Sequence, residues 1–478
     1  MCEENAAKAL KEKLTKTYAS AWQNVAKEEA EKVQSLCEAY KEYLTVSKTE
    51  RLCAGYTVML AEAKGFKSFD YYLKTKGKVE PGDKIYMTFK KKTVVLFVVG
   101  ELPIEEGMAI VGAHIDSPRL DLKPAPLYED SEMAFFKTHY YGGIKKYQWV
   151  TMPLALHGTI VKKDGDILNI SIGEKADEPV FCITDLLPHL AAEQNQKKLG
   201  AAIPGEGLNI IVGNKPYPDE DIKDGVKLAI LKYLNDTYGI TEADFASAEL
   251  EAVPAGGARD VGFDSSMIGS YGQDDRICAF SGTRAILDAS DSVPKRTMCM
   301  ILADKEEIGS YGNTGMQSQF FINDLAELIA LMEESHSELI LRRCLRHSEF
   351  LSADVTAAYD PNYSGTHDLY NAAYMGKGLV VSKYGGSRGK AGSNDAHAEF
   401  LGKLRRCFDD AGVTWQMGEL GKVDQGGGGT IAYMLANYGM DVVDCGPALL
   451  SMHSPFELSS KADVYMTYKG YKAFFEAE

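Results

Sequence analysis

The sequence predicts an α/β protein in which a mixed sheet flanked by helices is interrupted by a β-rich insertion. Short apolar runs at residues 93–99 and 108–113 end in polar residues or glycine, as buried sheet strands do. Runs of that kind alternate with helical periodicity again after Val261. Between Leu122 and Asp260 the texture changes to hairpins and breakers, among them Gly142-Gly143, Gly213-Asn214 and a Lys-Lys-Asp-Gly-Asp turn at 162–166. The chain has 478 residues, more than the ~250–300 that one hydrophobic core supports. Two domains are therefore expected, one from residues 1–121 and 261–478 and one inserted at 122–260.

The elements follow in order. Residues 3–64 contain no proline and only Gly55, and they read as helix. Their stripe at Leu10, Leu14, Tyr18 and Trp22 is expected to pack in the core. In the second half, 277–287, 324–332 and 430–437 read as helices. Strands are expected at 298–303, 350–355, 379–382, 413–417 and 441–445.

Composition narrows the function. The 52 Lys and Arg against 68 Asp and Glu give a formal charge of −16, which argues against a nucleic-acid partner held through phosphates. The nine cysteines form no CxxC pair, so neither a thiolate zinc knuckle nor a disulfide framework is indicated. The first thirteen residues are charged and lack a signal-peptide core, and no apolar run approaches the ~18 residues of a membrane span. A soluble, cytoplasmic protein without a membrane partner is expected.

Ligands of open α/β sheets gather at the carboxyl ends of strands. Five segments put His, Asp or Glu at such places: Gly-Ala-His-Ile-Asp-Ser-Pro at 112–118, Gln-Asp-Asp-Arg at 273–276, Asp-Lys-Glu-Glu-Ile-Gly-Ser at 304–310, Ser-Ala-Asp-Val at 352–355 and Ser-Met-His-Ser-Pro at 451–455. Together they supply two imidazoles and several carboxylates, the donor mixture that a pair of divalent ions needs. Asp116 stands two residues beyond His114, on the same side of an extended chain, where it can hold the second ring nitrogen. Adjacent Glu306 and Glu307 offer one carboxylate to a metal and one to a water.

These segments, in this order across residues 112–458, resemble the aspartyl aminopeptidase family of co-catalytic zinc exopeptidases. The resemblance implies His114, Asp274 and Asp354 on one metal, with Asp274 bridging to a second held also by Glu307 and His453. It implies Glu306 as general base or acid and Asp116 as the residue orienting His114. The family's Leu-Asp-Asn pattern sets the bridging carboxylate at Asp274 and gives Asp275 the Asn position. Two divalent ions per subunit follow, zinc first, with cobalt or manganese also suited to mixed N/O donors. The resemblance further implies that the insertion is a dimerisation domain, that the homo-oligomer is a tetrahedral dodecamer built from dimers, and that short peptides lose their N-terminal residue.

Other features are less directive. The family supplies a histidine from the insertion to a neighbouring subunit, which implies His189, although its Pro-His-Leu run often continues to a second His where this chain has Glu193. Lys383, Arg388 or Lys390 could pair with an acidic substrate side chain or form a solvated basic loop. The glycine run at 426–429 could present N–H groups to a substrate or be a flexible turn. His139, His157, His336, His347, His367 and His397 read as ordinary residues. A metal carboxypeptidase or deacylase on a related sheet uses similar ligands. A non-catalytic assembly protein is the reading of a different class, and the filled ligand positions speak against it.

Overall fold

Four runs buried along most of their length, Met298–Ala303, Ala109–His114, Glu349–Ser352 and Asp441–Gly446, lie side by side and parallel at the centre of a nine-stranded sheet. The structure, a computed structural model, describes residues 2–25, 29–75, 77–219, 221–333, 337–388 and 391–477, with side chains from residue 7 onward. On one side of the parallel centre the sheet continues through Thr93–Val98, Lys84–Phe89 and Lys67–Ser68. On the other it continues through Leu379–Ser382 and Trp415–Met417. Antiparallel pairings at Thr93–Val98 and Leu379–Ser382 make it mixed, as expected.

The centre strands are apolar throughout because helices cover both faces. Side chains alternate along each strand, so Val111 and Ala113 join one cluster with Ile277, Phe280 and Tyr471 of helices Gln273–Ala289 and Lys461–Glu476. Ile110 points the other way, into a cluster with Phe321, Leu325 and Leu341 of helices Phe320–Met332 and Glu338–His347. Each Val, Ile, Leu or Phe among them contributes roughly 1.5–3 kcal/mol on burial, which holds the helices against both faces of the sheet.

A second, six-stranded antiparallel sheet runs from Arg119 to Pro254 in the order Ile167–Ile172, Leu154–Val161, Ala248–Pro254, Arg119–Asp130, Met133–Tyr141, Ile210–Gly213. It has its own core around Trp149, Leu154, Ile160 and Phe245. The turn at 162–166 closes a hairpin, with Lys162 N–H donating to Asp166 O. Helix Gly225–Tyr238, which the β-rich reading of this stretch did not contain, packs on the sheet through Ile230, Leu231 and Leu234. Gly239 ends it in the left-handed region at φ 66°, where glycine carries no Cβ penalty.

One expectation fails. Leu10, Leu14 and Trp22 are 56%, 71% and 42% exposed, so the N-terminal stripe is not core. Leu10 and Leu14 share helix Cys2–Leu14 and lie exposed on it, and the end of that helix at Leu14 puts Trp22 on a separate short helix, Ala21–Asn24. The core contacts of this region come instead from Val33, Cys37 and Tyr40 of helix Ala30–Val46. No helix among the described residues is long and apolar enough to cross a membrane.

Candidate metal centre

The carboxyl ends of three of the central strands converge on one buried cluster. His114 is the last residue of its strand and is 2% exposed. Asp354 follows Glu349–Ser352, and Glu306 and Glu307 sit in the turn after Met298–Ala303. Lys305 opens that turn at φ 68°, its ammonium held by Asp304 and Thr314 at 2.8 Å each. Asp274 and Asp275 occupy the start of helix Gln273–Ala289, with φ/ψ of −78°/108° and −113°/29° that turn both carboxylates off the helical path. Gly272 precedes them at φ 68°, where a Cβ would fall 1.7 Å from the Arg276 guanidinium. Only glycine fits that approach.

The Asp274 carboxylate lies between the two imidazoles. One oxygen is 3.2 Å from His114 Nε2 and the other 3.2 Å from His453 Nε2. Glu307 Oε2 is 3.5 Å from the same His453 nitrogen, and Glu306 Oε2 is 3.8 Å from His114 Nε2. Donor atoms of His114, Asp274 and Glu307 fall within 4.8 Å of one another, as do those of His114, Asp275 and Asp354. The second group contains Asp275 where the family pattern has Asp274. Asp275 Oδ2 also accepts the backbone N–H of His114 at 3.4 Å, which ties it to the strand.

Asp116 sits behind this cluster. Its carbonyl is 3.0 Å and its Oδ1 3.4 Å from His114 Nδ1, so the residue holds the second ring nitrogen through two atoms. The same carboxylate accepts the backbone N–H groups of Glu306 and Glu307 at 3.1 Å each. His453 Nδ1 is oriented by the Gly143 carbonyl at 2.9 Å.

Electrostatics show what this set of protein groups can hold. Six buried or half-buried carboxylates, Asp116, Asp274, Asp275, Glu306, Glu307 and Asp354, surround two histidines. Burial pushes Asp354 and Glu307 well above the ordinary carboxylate range, and nearby acids add to it. Glu306 is pushed up to about 7, by burial first and then by Asp116 and Asp274, against the pull of His114. Burial works to lower His453, but the bond to Asp274 and the charge of Glu307 carry it up to about 10. Glu307 Oε1 and Asp275 Oδ1 are buried without a hydrogen-bond partner. Uncompensated buried charge costs several kcal/mol per ion, and divalent cations among these N and O donors remove that cost. The residues fit metal ions.

Sequence reasoning missed two contributors. Glu457, fully buried, accepts the N–H groups of Gln273 and Asp274 on one oxygen and that of His453 on the other, at 2.6, 3.2 and 2.8 Å. It aligns the backbones of Asp274 and His453, and it lies within the segment that carries His453. Tyr141 is the other; its hydroxyl donates to Asp116 at 2.8 Å. Of the remaining candidates, His189 lies exposed on the turn Pro188–Leu190. Lys383 stacks over Tyr384 at 4.9 Å. A cavity of about 640 Å³ beside Asp354 is lined by Tyr384, Arg388, Glu419, Asp444 and the glycines at 426–428. Lys390 and His336 lie outside the described residues. His157 is a buried partner of Glu174 at 2.7 Å.

An α/β sheet with paired imidazoles and clustered carboxylates at its carboxyl edge defines a site of the metallohydrolase class. The model of the aminopeptidase I zinc metalloprotease family (M18) matches residues 43–475, and the chain belongs to that family. It is therefore an aminopeptidase of a zinc metalloprotease family. It is 52% identical over 461 residues to a probable M18 family aminopeptidase 1 of Clostridium acetobutylicum, covering 96% of this chain and 98% of that protein. A crystal structure of an M18 aminopeptidase from Thermotoga maritima superposes with a TM-score of 0.92 at 44% identity, covering 97% of this chain and 100% of that one. The Saccharomyces cerevisiae mApe1 dodecamer shares the fold at 19% identity with a TM-score of 0.74, over 94% of this chain and 97% of that one.

Proposed function

We propose that this aminopeptidase is dinuclear and removes the N-terminal residue of short peptides. The observation that carries the reading is the Asp274 carboxylate, which directs one oxygen toward each histidine at 3.2 Å. In this reading His114, Asp274 and Asp354 would hold one divalent ion, and Asp274, Glu307 and His453 would hold the other. Zinc is the first choice, and cobalt or manganese suit the same donors. Bound there, the ions supply Lewis acidity to a water and to the scissile carbonyl.

Glu306 lies at 3.8 Å from His114 Nε2 and is not fully enclosed, so its carboxylate can take a proton from that water and return one to the departing amine. Its raised affinity for protons reflects burial first and then the acids around it, and cations held beside it would draw that affinity back down. Asp116 fixes the His114 tautomer and the turn carrying Glu306 and Glu307 together. The cavity beside Asp354 receives the side chain of the residue removed, with Arg388 on its wall and Lys383 adjacent in sequence to its lining residues Ser382 and Tyr384.

Residues 122–260 serve as the dimerisation domain in this reading, and assembly continues to a dodecamer, the state in which mApe1 was solved. His189, exposed on its turn, is free to reach a neighbouring subunit. The eight cysteines whose side chains are described are free thiols, in keeping with a reducing, cytoplasmic compartment. The test is hydrolysis of matched peptides with free and acetylated N-termini by the zinc-loaded protein. Release of the first residue from the free peptides alone is expected; cleavage of the acetylated peptides at equal rate would favour a deacylase or endopeptidase and overturn the reading.

A further inference from the structure

The second sheet meets the hydrolytic site at one corner, residues 141–143. Tyr141 ends strand Met133–Tyr141 and is 9% exposed. Its hydroxyl donates to Asp116 Oδ2 at 2.8 Å, beside the Glu307 N–H that reaches the same oxygen at 3.1 Å. Across the strand pair its register partner is Arg119, whose guanidinium lies 3.9 Å from the Tyr141 ring centroid. Arg119 is in turn anchored to Asp121 at 2.8 Å, Glu251 at 3.3 Å and Glu50 at 3.4 Å. The phenol is thus clamped on its face and aimed at its edge.

The next two residues touch the other half of the cluster. Gly143 O orients His453 Nδ1, and a Cβ on Gly143 would stand 3.1 Å from that nitrogen. A Cβ on Gly142, at φ 74°, would stand 3.3 Å from the Glu307 side chain. One corner therefore faces both imidazole systems, His114 through Asp116 and His453 directly.

We infer that Tyr141 is a positioning residue for the hydrolytic reaction: it locks the Asp116 carboxylate, and through it the His114 imidazole and the Glu306–Glu307 turn, into one arrangement. Three neighbours already engage the Asp116 carboxylate, the His114 ring and two backbone N–H groups. Tyr141 is the one side-chain hydroxyl among its described partners, and it comes from the second sheet. That sheet then acts within its own subunit, apart from any part it has in assembly. The inference rests on the proposed metal-dependent reading of the site.

The experiment compares wild type with Tyr141→Phe, which removes only the hydroxyl and keeps the ring under Arg119. Tyr140→Phe, at an exposed neighbour, is the control. Zinc affinity is read by competition with a chromophoric chelator, kcat and KM on a free-amine peptide, and size and Tm on the same samples. Loss of a partner behind a metal ligand typically costs about 10–100-fold in affinity or activity. Tyr141→Phe is expected to show that loss in zinc affinity or kcat, with KM, particle size and Tm close to wild type. Should Tyr141→Phe lose its fold, Arg119→Lys, which takes the guanidinium off the Tyr141 ring and leaves the Asp116 contacts to His114, Glu306 and Glu307 in place, carries the same test, with zinc affinity again the readout. Wild-type kcat and zinc affinity in the folded variant would overturn the inference alone. A wild-type chain that neither binds zinc nor hydrolyses the peptide would overturn the proposed function with it.

Discussion

Glu306→Gln is expected to leave the chain folded and its metal content unchanged while kcat falls by about 10²–10⁴-fold, the usual contribution of a general acid–base group. The substitution keeps the size of the side chain and removes its charge and its capacity to carry the proton. Folding should tolerate it because the backbone N–H of residue 306, which the substitution retains, is what binds Asp116. The side chain is half-buried at the site and lies further from His114 than Asp274 does, 3.8 against 3.2 Å. Zinc content by elemental analysis and kcat on one peptide decide it. A kcat above about a tenth of wild type at full metal occupancy would remove Glu306 from the proton path.

Asp274→Asn and Asp275→Asn separate the two adjacent acids. Asp274 faces both histidines, so an amide there loses the charge that both proposed ion positions share. The loss of activity and zinc affinity is expected to exceed the ~10–100-fold that partners behind a ligand typically cost. Asp275→Asn is expected to stay within that range, because its Oδ2 is engaged with the His114 backbone. The proximity of Asp275 to His114 and Asp354 makes the comparison informative. If Asp275→Asn proves the more damaging, the shared ligand is Asp275.

Part of this site was legible in the sequence because strands make it so. A two-residue spacing puts His114 and Asp116 on one side of an extended chain, and the structure keeps them in contact. The Glu306–Glu307 doublet stood out because adjacent acids in a turn repel unless something pairs them. Tyr141 and Glu457 were not legible in this way. Their parts depend on approach through space, Tyr141 to Asp116 across 25 residues of chain and Glu457 to Asp274 across 183. No local period encodes such contacts. The mixed sheet was legible from continuous apolar strands that only two covered faces explain. The N-terminal stripe misled because periodicity reports a shared face and not what covers it: Leu10 and Leu14 share one helix and are exposed, and Trp22 lies beyond its end. Helix Gly225–Tyr238 was obscured by the breakers that precede it, which set the texture of the whole stretch.

The central claim is a pair of ions sharing Asp274. Anomalous diffraction from zinc-loaded crystals, recorded on both sides of the zinc absorption edge, tests it most directly. Two peaks per subunit are predicted, flanking the Asp274 carboxylate, one toward His114 and Asp354 and the other toward His453 and Glu307. A single peak, or two peaks that do not share Asp274, would contradict it.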